Sequence, residues 1–450
     1  MSESMVELKV YLETHGCTMN KSDSEIILRI LHDSGFKITS SPEKADLIIL
    51  NTCNVKQPTE QRMLNRAKRL ASLNKPLIIA GCMAATQPAL IRRYAAALIG
   101  PKSIGAISDV IKRVLSGESG IEMMDEFPLN KVEVKRLPLS KISAVIPVAE
   151  GCLGRCSYCI TRFARGRLIS YPPKSILRAI RKRVSEGFRE IYLTGQDLGV
   201  YGWDIGTNIA RLLQGIKGIE GEFRIRVGMM NPYGVKIMIE DLLESLSDGR
   251  IYKFFHVPVQ SGSDEVLKLM KRGYSTRDFV EIVRRIRERY PVSTLATDII
   301  VGFPRETEDD FERTLSLIRE VEPEVVNISK FGPRPGTEAA KMEKLPSKIV
   351  KERSRIISQL CAEIKLKRNE QLIGKEFNVL VTEKQREKAQ ARTDFYRPVI
   401  LDQEVELGSF YRVEIVGARS NYLIGKVIEL LIRREIRGTC PYRNKGIEEI

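Results

Sequence analysis

The sequence predicts an α/β protein built from three successive units: a parallel α/β domain, an incomplete β/α barrel of six strands and a small antiparallel β-barrel. Three observations carry that expectation. Near the start, continuous apolar runs alternate with helical stretches, the pattern of strands buried on both faces of a parallel sheet. From Lys141 to about Phe331, six strand-like runs are separated by amphipathic segments, which fits repeated β/α units. From Gly374 to Leu431 the chain turns to short strands and tight turns, as in a small barrel.

In chain order, residues 1–115 form the first unit, with strands at 6–12, 45–50 and 76–80 and a helix starting at Ser22 or Asp23 and running to Gly35. Residues 116–140 lose periodicity, collect Gly and Pro, and read as a linker with room for one short strand. The central unit, 141–370, has strands near 144–148, 190–194, 223–228, 254–259, 294–301 and 325–331. Helices are expected at 173–187, 235–246 and 306–321, with a further helical segment from Ser347 to about Leu372. The small barrel, 371–432, has strands near 377–381, 397–401, 411–416 and 423–428, and residues 433–450 read as a charged tail.

The chain of 450 residues carries 73 Lys and Arg against 57 Asp and Glu, a net charge of +16 that favours a polyanionic partner such as RNA. Individual basic runs, such as Arg284-Arg285 with Arg287 and Arg289, read as solvated helix faces in preference to nucleic-acid contacts. No signal peptide is visible and no apolar stretch approaches the roughly 20 residues that span a bilayer, so a cytoplasmic protein without membrane attachment is expected. Thiols stay reduced in that compartment, and the eight cysteines then read as ligands or core residues.

Six of those cysteines form two groups. Cys152, Cys156 and Cys159 follow a strand at C-x-x-x-C-x-x-C spacing. Three thiolates so close in sequence can wrap one face of a four-iron cluster and leave one iron open. A structural zinc site would need a fourth Cys or His nearby, and the nearest downstream histidine is His256. Cys17, Cys53 and Cys82 are about 30 residues apart, but each lies just past the end of a predicted strand of the first unit. Ligands of open parallel sheets collect beyond those strand ends, so the three can converge on a second three-thiolate site, the alternative being three separate buried core cysteines. Polar residues cluster past the barrel strands as well: Gln196-Asp197, Asn231, Gln260-Ser261, Asp298 and Arg334. That face carries the chemistry of barrel enzymes.

The run Gly151-Cys152-Leu153-Gly154-Arg155-Cys156-Ser157-Tyr158-Cys159 resembles the signature of the radical S-adenosylmethionine (SAM) enzymes. Further stretches are His256-Val257-Pro258-Val259-Gln260-Ser261-Gly262-Ser263, Thr297-Asp298-Ile299-Ile300-Val301-Gly302-Phe303-Pro304 and Pro333-Arg334-Pro335-Gly336-Thr337. With these in order, residues 5 to 432 resemble the methylthiotransferase family. Thr14-His15-Gly16-Cys17-Thr18-Met19-Asn20 and Ala164-Arg165-Gly166 are most similar to its archaeal and eukaryotic branch.

That resemblance implies two [4Fe–4S] clusters and SAM as cofactors. Cys152, Cys156 and Cys159 would hold the radical-SAM cluster, and Cys17, Cys53 and Cys82 an auxiliary cluster that carries sulfur. The C-terminal barrel would be a TRAM domain that binds RNA. The implied reaction turns N6-threonylcarbamoyladenosine (t6A) at position 37 of the tRNA anticodon loop into its 2-methylthio derivative. It consumes one SAM as methyl donor and one as radical source, and draws on an electron donor such as ferredoxin or flavodoxin and on a sulfur donor. Implied cofactor contacts are Tyr158, Gln196, Asp197, Gln260, Asp298 and Gly302, with Gln196 standing where an acidic residue is expected. Implied RNA contacts are Arg334, Arg392, Arg397, Arg412 and Arg419. For His256 a structural hydrogen bond is expected, and for Glu306 the cap of the next helix. Isopentenyladenosine in tRNA and a ribosomal protein are alternative substrates, and an iron–sulfur RNA-binding or redox-sensing protein is the non-enzyme alternative.

Overall fold

The computed structural model describes residues 8–124, 129–385 and 388–433; the predicted tail beyond Arg433 lies outside the described residues. Strands β1 (Lys9–Thr14), β2 (Lys37–Thr39), β3 (Leu47–Thr52), β4 (Leu77–Gly81), β5 (Ala97–Ile99) and β6 (Ile121–Met123) form one sheet in the order β2-β1-β3-β4-β5-β6. Every pairing in it is parallel. β3 and β4 are buried along their whole length, which is why they read as unbroken apolar runs. β2, β5 and β6 have three residues each, too few to show a period in sequence.

The first helix runs from Thr18 to Asp33, with Cys17 at its cap position. The expected start at Ser22 or Asp23 is corrected: both side chains are buried inside the helix. They resemble a cap because short polar residues serve caps and buried networks alike. In the stretch that reads as a linker, β6 edges the first sheet, and Lys131 and Arg136 are buried where the first unit meets the second.

The central unit starts with β7 (Ser143–Pro147) and a short antiparallel pair, β8 (Ala149–Glu150) and β9 (Ile169–Ser170). It continues with β10 (Glu190–Thr194), β11 (Arg224–Val227), β12 (Phe254–His256), β13 (Thr294–Val301) and β14 (Val325–Lys330). These make two parallel three-stranded halves, β11-β10-β7 and β12-β13-β14. A bridge between Ile225 and Ile251 joins the halves, and the Met230 amide donates to the His256 carbonyl at 2.9 Å. Among the described residues no pairing joins β7 to β14, so the six-stranded barrel is open there. The helix expected at 235–246 is two helices, Pro232–Ile237 and Ile239–Ser245. Helix Glu308–Val321 is capped by Thr307, which exchanges hydrogen bonds with Asp310 in a capping box. The capping role expected for Glu306 is therefore corrected; its carboxylate accepts from the Gly302 amide at 2.8 Å and pairs with Arg353 at 2.8 Å.

β15 (Glu376–Gln385), β16 (Lys388–Thr393), β17 (Pro398–Leu401), β18 (Phe410–Ala418) and β19 (Leu423–Ile432) close a small barrel in the order β15-β16-β17-β19-β18. It is antiparallel apart from the β17–β19 pair, which is parallel. β16 is hard to read in sequence because Ala389, Ala391 and Thr393 supply its buried face, and small residues give a weak apolar signal.

Tyr396, in the turn between β16 and β17, is the pin between the two barrels. Its hydroxyl lies 3.0 Å from that of Tyr192, and its ring packs edge-on against Tyr252 and Phe254 at 4.9 and 5.0 Å. Arg226 and Arg392 stand over the same ring. Beneath it, buried Glu190 accepts from Ser143, Tyr192 and Tyr252 at 2.6, 2.7 and 3.1 Å. Arg224 pairs with Asp394 at 2.9 Å beside this cluster. These partners lie at the starting ends of β10, β11 and β12, so the small barrel docks on the face opposite the strand ends that carry the cysteines. Tyr396→Ala should cost about 3 kcal/mol of stability, read by denaturant unfolding, and should open the segment near Gly374 to limited proteolysis.

Candidate active site

The adjacent strands β1, β3 and β4 each run into one cysteine. Cys17 precedes helix Thr18–Asp33, Cys53 follows β3, and Cys82 opens the helix Cys82–Thr86. Gly16 makes their approach possible: at φ +114° it takes a left-handed conformation, and a side chain there would meet the Cβ of Cys53 at 2.5 Å. Asn20 ties the loops together by donating from Nδ2 to the carbonyls of His15 and Thr52 at 2.9 and 2.8 Å. Its Oδ1 lies 3.9 Å from the Cys17 sulfur and 3.8 Å from that of Cys82. Sequence alone assigns Asn20 no role; the packing of helix onto sheet does.

The second triad sits on the loop after β8. Gly154 is squeezed between two of its thiols: its amide donates to the Cys152 sulfur at 3.2 Å, and a Cβ there would meet the Cys152 and Cys156 sulfurs at 3.2 and 3.7 Å. Ser157 pins the loop to the barrel, its hydroxyl donating to the Leu269 carbonyl at 2.7 Å. Arg272, which sequence reading does not single out, is buried and donates from Nη1 to the Cys156 sulfur at 3.0 Å.

One cavity of about 550 Å³ is lined by residues of both groups, Cys17 from the first and Cys159 from the second. Tyr158, His256, Gln260, Asp298 and Arg334 share it. Asp298 accepts from Asn327 at 2.7 Å and pairs with His256 at 3.1 Å. Burial would raise its carboxyl, but the hydrogen bond and charge of His256, with Asn327, outweigh burial and hold it below its ordinary value. His256 makes the structural contact expected of it.

Other nominated residues stand elsewhere. Gln196 accepts the Gly151 amide at 2.6 Å, bracing the loop of Cys152. Asp197 is buried behind that loop, accepting the amides of Gly199 and Asn231 at 3.0 and 2.9 Å; burial pushes its carboxyl up. Gly302 packs under the helix Ser347–Glu370, where a side chain would strike Val350. Arg334, unlike these, is on the cavity wall, but it is 4% exposed and its guanidinium is held by Glu60 at 2.7 Å and by the Asn54 carbonyl. Arg392 stacks on Tyr396 and Arg397 is buried near Glu324, so both serve the seam between barrels, not an open RNA surface. Arg412 and Arg419 are exposed, with Arg412 paired to Glu429 at 3.2 Å.

The thiols suit iron–sulfur clusters by their chemistry. Burial pushes the Cys53 thiol up to about 12, and the neighbouring Cys17 and Cys82 push the same way. Burial likewise raises Cys152 to about 12, reinforced by Asp197. A buried thiol is stabilised as a thiolate by positive charge beside it, which a metal cluster supplies when bound. Among the described residues no group of three His, Cys, Asp or Glu side chains is gathered for a single metal ion. The donor sets, sulfur-only and three to a site, are those a cluster takes.

Residues 146–318 match the Radical SAM superfamily, residues 9–99 the uncharacterised protein family UPF0004, and residues 370–428 the TRAM domain. A probable threonylcarbamoyladenosine tRNA methylthiotransferase of Pyrococcus abyssi is 42% identical over 94% of this chain and 100% of its own length. The threonylcarbamoyladenosine tRNA methylthiotransferase of Drosophila melanogaster is 37% identical over 94% of this chain and 78% of its own. Among solved structures, the radical S-adenosylmethionine methyltransferase TsrM of Kitasatospora setae aligns with a TM-score of 0.56 over 75% of this chain and 74% of its own, at 14% identity. That last likeness is one of fold. The sheet, the open barrel and the two triads define a radical-SAM architecture with a second cysteine site. The chain belongs to the threonylcarbamoyladenosine tRNA methylthiotransferase family.

The joint that holds the triads contains a buried acid, Glu25, which accepts the Leu139 amide at 3.3 Å. Burial raises its carboxyl to about 7, against the pull of Arg136 and Arg183. A raised carboxyl binds its proton more tightly in the folded state, so stability is lost as pH climbs from the unfolded value towards 7. Glu25→Gln should therefore be more stable than the parent by about 3 kcal/mol at about pH 8, with the gap closing as pH falls towards about 4.5; denaturant unfolding across pH checks this.

Proposed function

We propose that this chain converts t6A at position 37 of tRNA to its 2-methylthio derivative, using SAM both as methyl donor and as radical source, with one iron–sulfur cluster at each triad. The observation that carries the reading is the single cavity into which Cys17 and Cys159 both open. Two sites that share a chamber can act on one base without release between steps. When bound, the clusters and SAM supply the radical and sulfur chemistry needed to replace an aromatic C–H, for which no side chain is equipped.

The protein's own part is placement. Asn20 and Gly16 keep the Cys17 and Cys53 loops in contact, and Gln196, Gly154 and Ser157 shape the other loop. Asp298 is held ionised by His256 and Asn327 on the cavity wall, an acceptor aimed where SAM or the base would enter. Arg334 braces the wall through Glu60. RNA would be gripped by the TRAM barrel, with Arg412 and Arg419 as its exposed cations, through phosphate contacts that weaken with salt. Because this barrel docks on the far end of the open barrel, the RNA must reach around the central unit to present its loop at the cavity. An exposed anticodon loop, with splayed bases, suits that approach. An electron donor and a sulfur donor complete the reaction. No described helix is long and apolar enough to cross a membrane, in keeping with a cytoplasmic tRNA-modifying protein.

The test is anaerobic turnover of reconstituted protein with SAM, reductant, sulfide and tRNA bearing t6A, with digested nucleosides read by mass spectrometry. A 2-methylthio-t6A peak is expected; 5′-deoxyadenosine alone would overturn the substrate. Replacing Cys17, Cys53 and Cys82 together by Ala should abolish the methylthiolated product while 5′-deoxyadenosine still forms.

A further inference from the structure

Arg165 is 1% exposed and among the largest fully buried side chains of the protein. It closes the short helix Thr161–Arg165 that follows Cys159, yet its guanidinium reaches out of the central unit into the first. Nη1 meets Glu150 at 2.7 Å, and Nη2 meets Asp23 at 2.8 Å and the Oδ1 of Asn20 at 2.9 Å. That Asn20 oxygen is the atom lying 3.8 Å from the Cys82 sulfur and 3.9 Å from the Cys17 sulfur. Lys131 completes a neutral quartet, meeting Asp23 at 2.8 Å and Glu150 at 2.9 Å. Glu150 stands just before Gly151-Cys152, so the quartet grips both ends of the loop that holds one triad and touches the wall of the other.

We propose that Arg165 is a positioning residue for both triads: supplied by the loop of Cys152, Cys156 and Cys159, it presents a permanent positive charge to the site of Cys17, Cys53 and Cys82 and fixes the two at one separation. The inference rests on the reading that this second site holds a cluster. A cluster gains negative charge on reduction, so a buried guanidinium beside it favours the reduced form. A carboxylate such as Asp23 does the reverse. A quartet serving only as glue between domains would alter stability without moving a potential in a direction set by charge.

The experiment uses the full chain with Cys152, Cys156 and Cys159 replaced by Ala, so that only the second site loads. After anaerobic reconstitution with iron and sulfide, iron per chain and the midpoint potential of the remaining signal are read by redox titration under electron paramagnetic resonance. Arg165→Met should lower the midpoint, Asp23→Asn should raise it, and Arg165→Lys should stay near the parent. If Arg165→Met fails to load, a raised midpoint in Asp23→Asn with an unmoved one in Arg165→Lys still supports the proposal. Loaded variants whose midpoints do not move, or move together, overturn it, as does failure of all three to load when circular dichroism shows them folded like the parent. A parent that binds no iron overturns the second-cluster reading, and this proposal with it.

Discussion

The structure depends on one cost, that of burying four charges at the joint between the first sheet and the open barrel. Asp23, Lys131, Glu150 and Arg165 are all nearly inaccessible to solvent. An isolated ion in such a place costs several kcal/mol, so each of the four needs the other three. Their geometry is therefore stringent: helix Thr18–Asp33, the segment around Lys131, the end of β8 and the helix after Cys159 must meet at one point. No flexible hinge is compatible with that requirement, and the two thiol triads, which lie on either side of the joint, inherit its rigidity.

A second consequence follows from how parallel strands end. In both α/β units the cysteines stand beyond the carboxyl ends of strands, where backbone amides are released and loops converge. Because the joint sets these two rims against each other, their openings merge into a single cavity. The starting ends of the barrel strands are left for a different use. There Glu190 and a cage of Tyr192, Tyr252, Phe254 and Arg226 receive Tyr396, so the small barrel becomes a fixed base. On the proposed function, chemistry and RNA grip fall at opposite ends of one barrel, and the RNA has to span it.

Arginine does much of the internal work. Arg165, Arg272 and Arg334 are each buried, and each offers several donors in a fixed plane, so one side chain can satisfy groups from two loops at once. A cation that remains charged when buried is suited to standing beside sulfur, as Arg272 does at Cys156. The high arginine and lysine content is thus partly an internal feature, and net charge overstates the surface available to RNA.

The close spacing of Cys152, Cys156 and Cys159, the order of the three units and the positions of the long buried strands were legible in the chain itself, because residue spacing and apolar runs are local properties. So was the convergence of Cys17, Cys53 and Cys82, since parallel topology sends successive strand ends to one edge. The three-residue strands β2, β5 and β6 were not, nor was β16, whose small inward residues leave little periodic signal. The fate of individual polar residues also escaped. Ser22 and Asp23 look like helix caps, Glu306 like another, and Arg392 and Arg397 like RNA contacts, yet Ser22, Asp23, Glu306 and Arg397 are enlisted by partners far away in sequence, and Arg392 stacks on Tyr396 at the seam. A residue's type limits which bonds it can form, and that much is written in the sequence. Which bond it forms depends on what the fold brings within about 3 Å, and tertiary structure alone decides that.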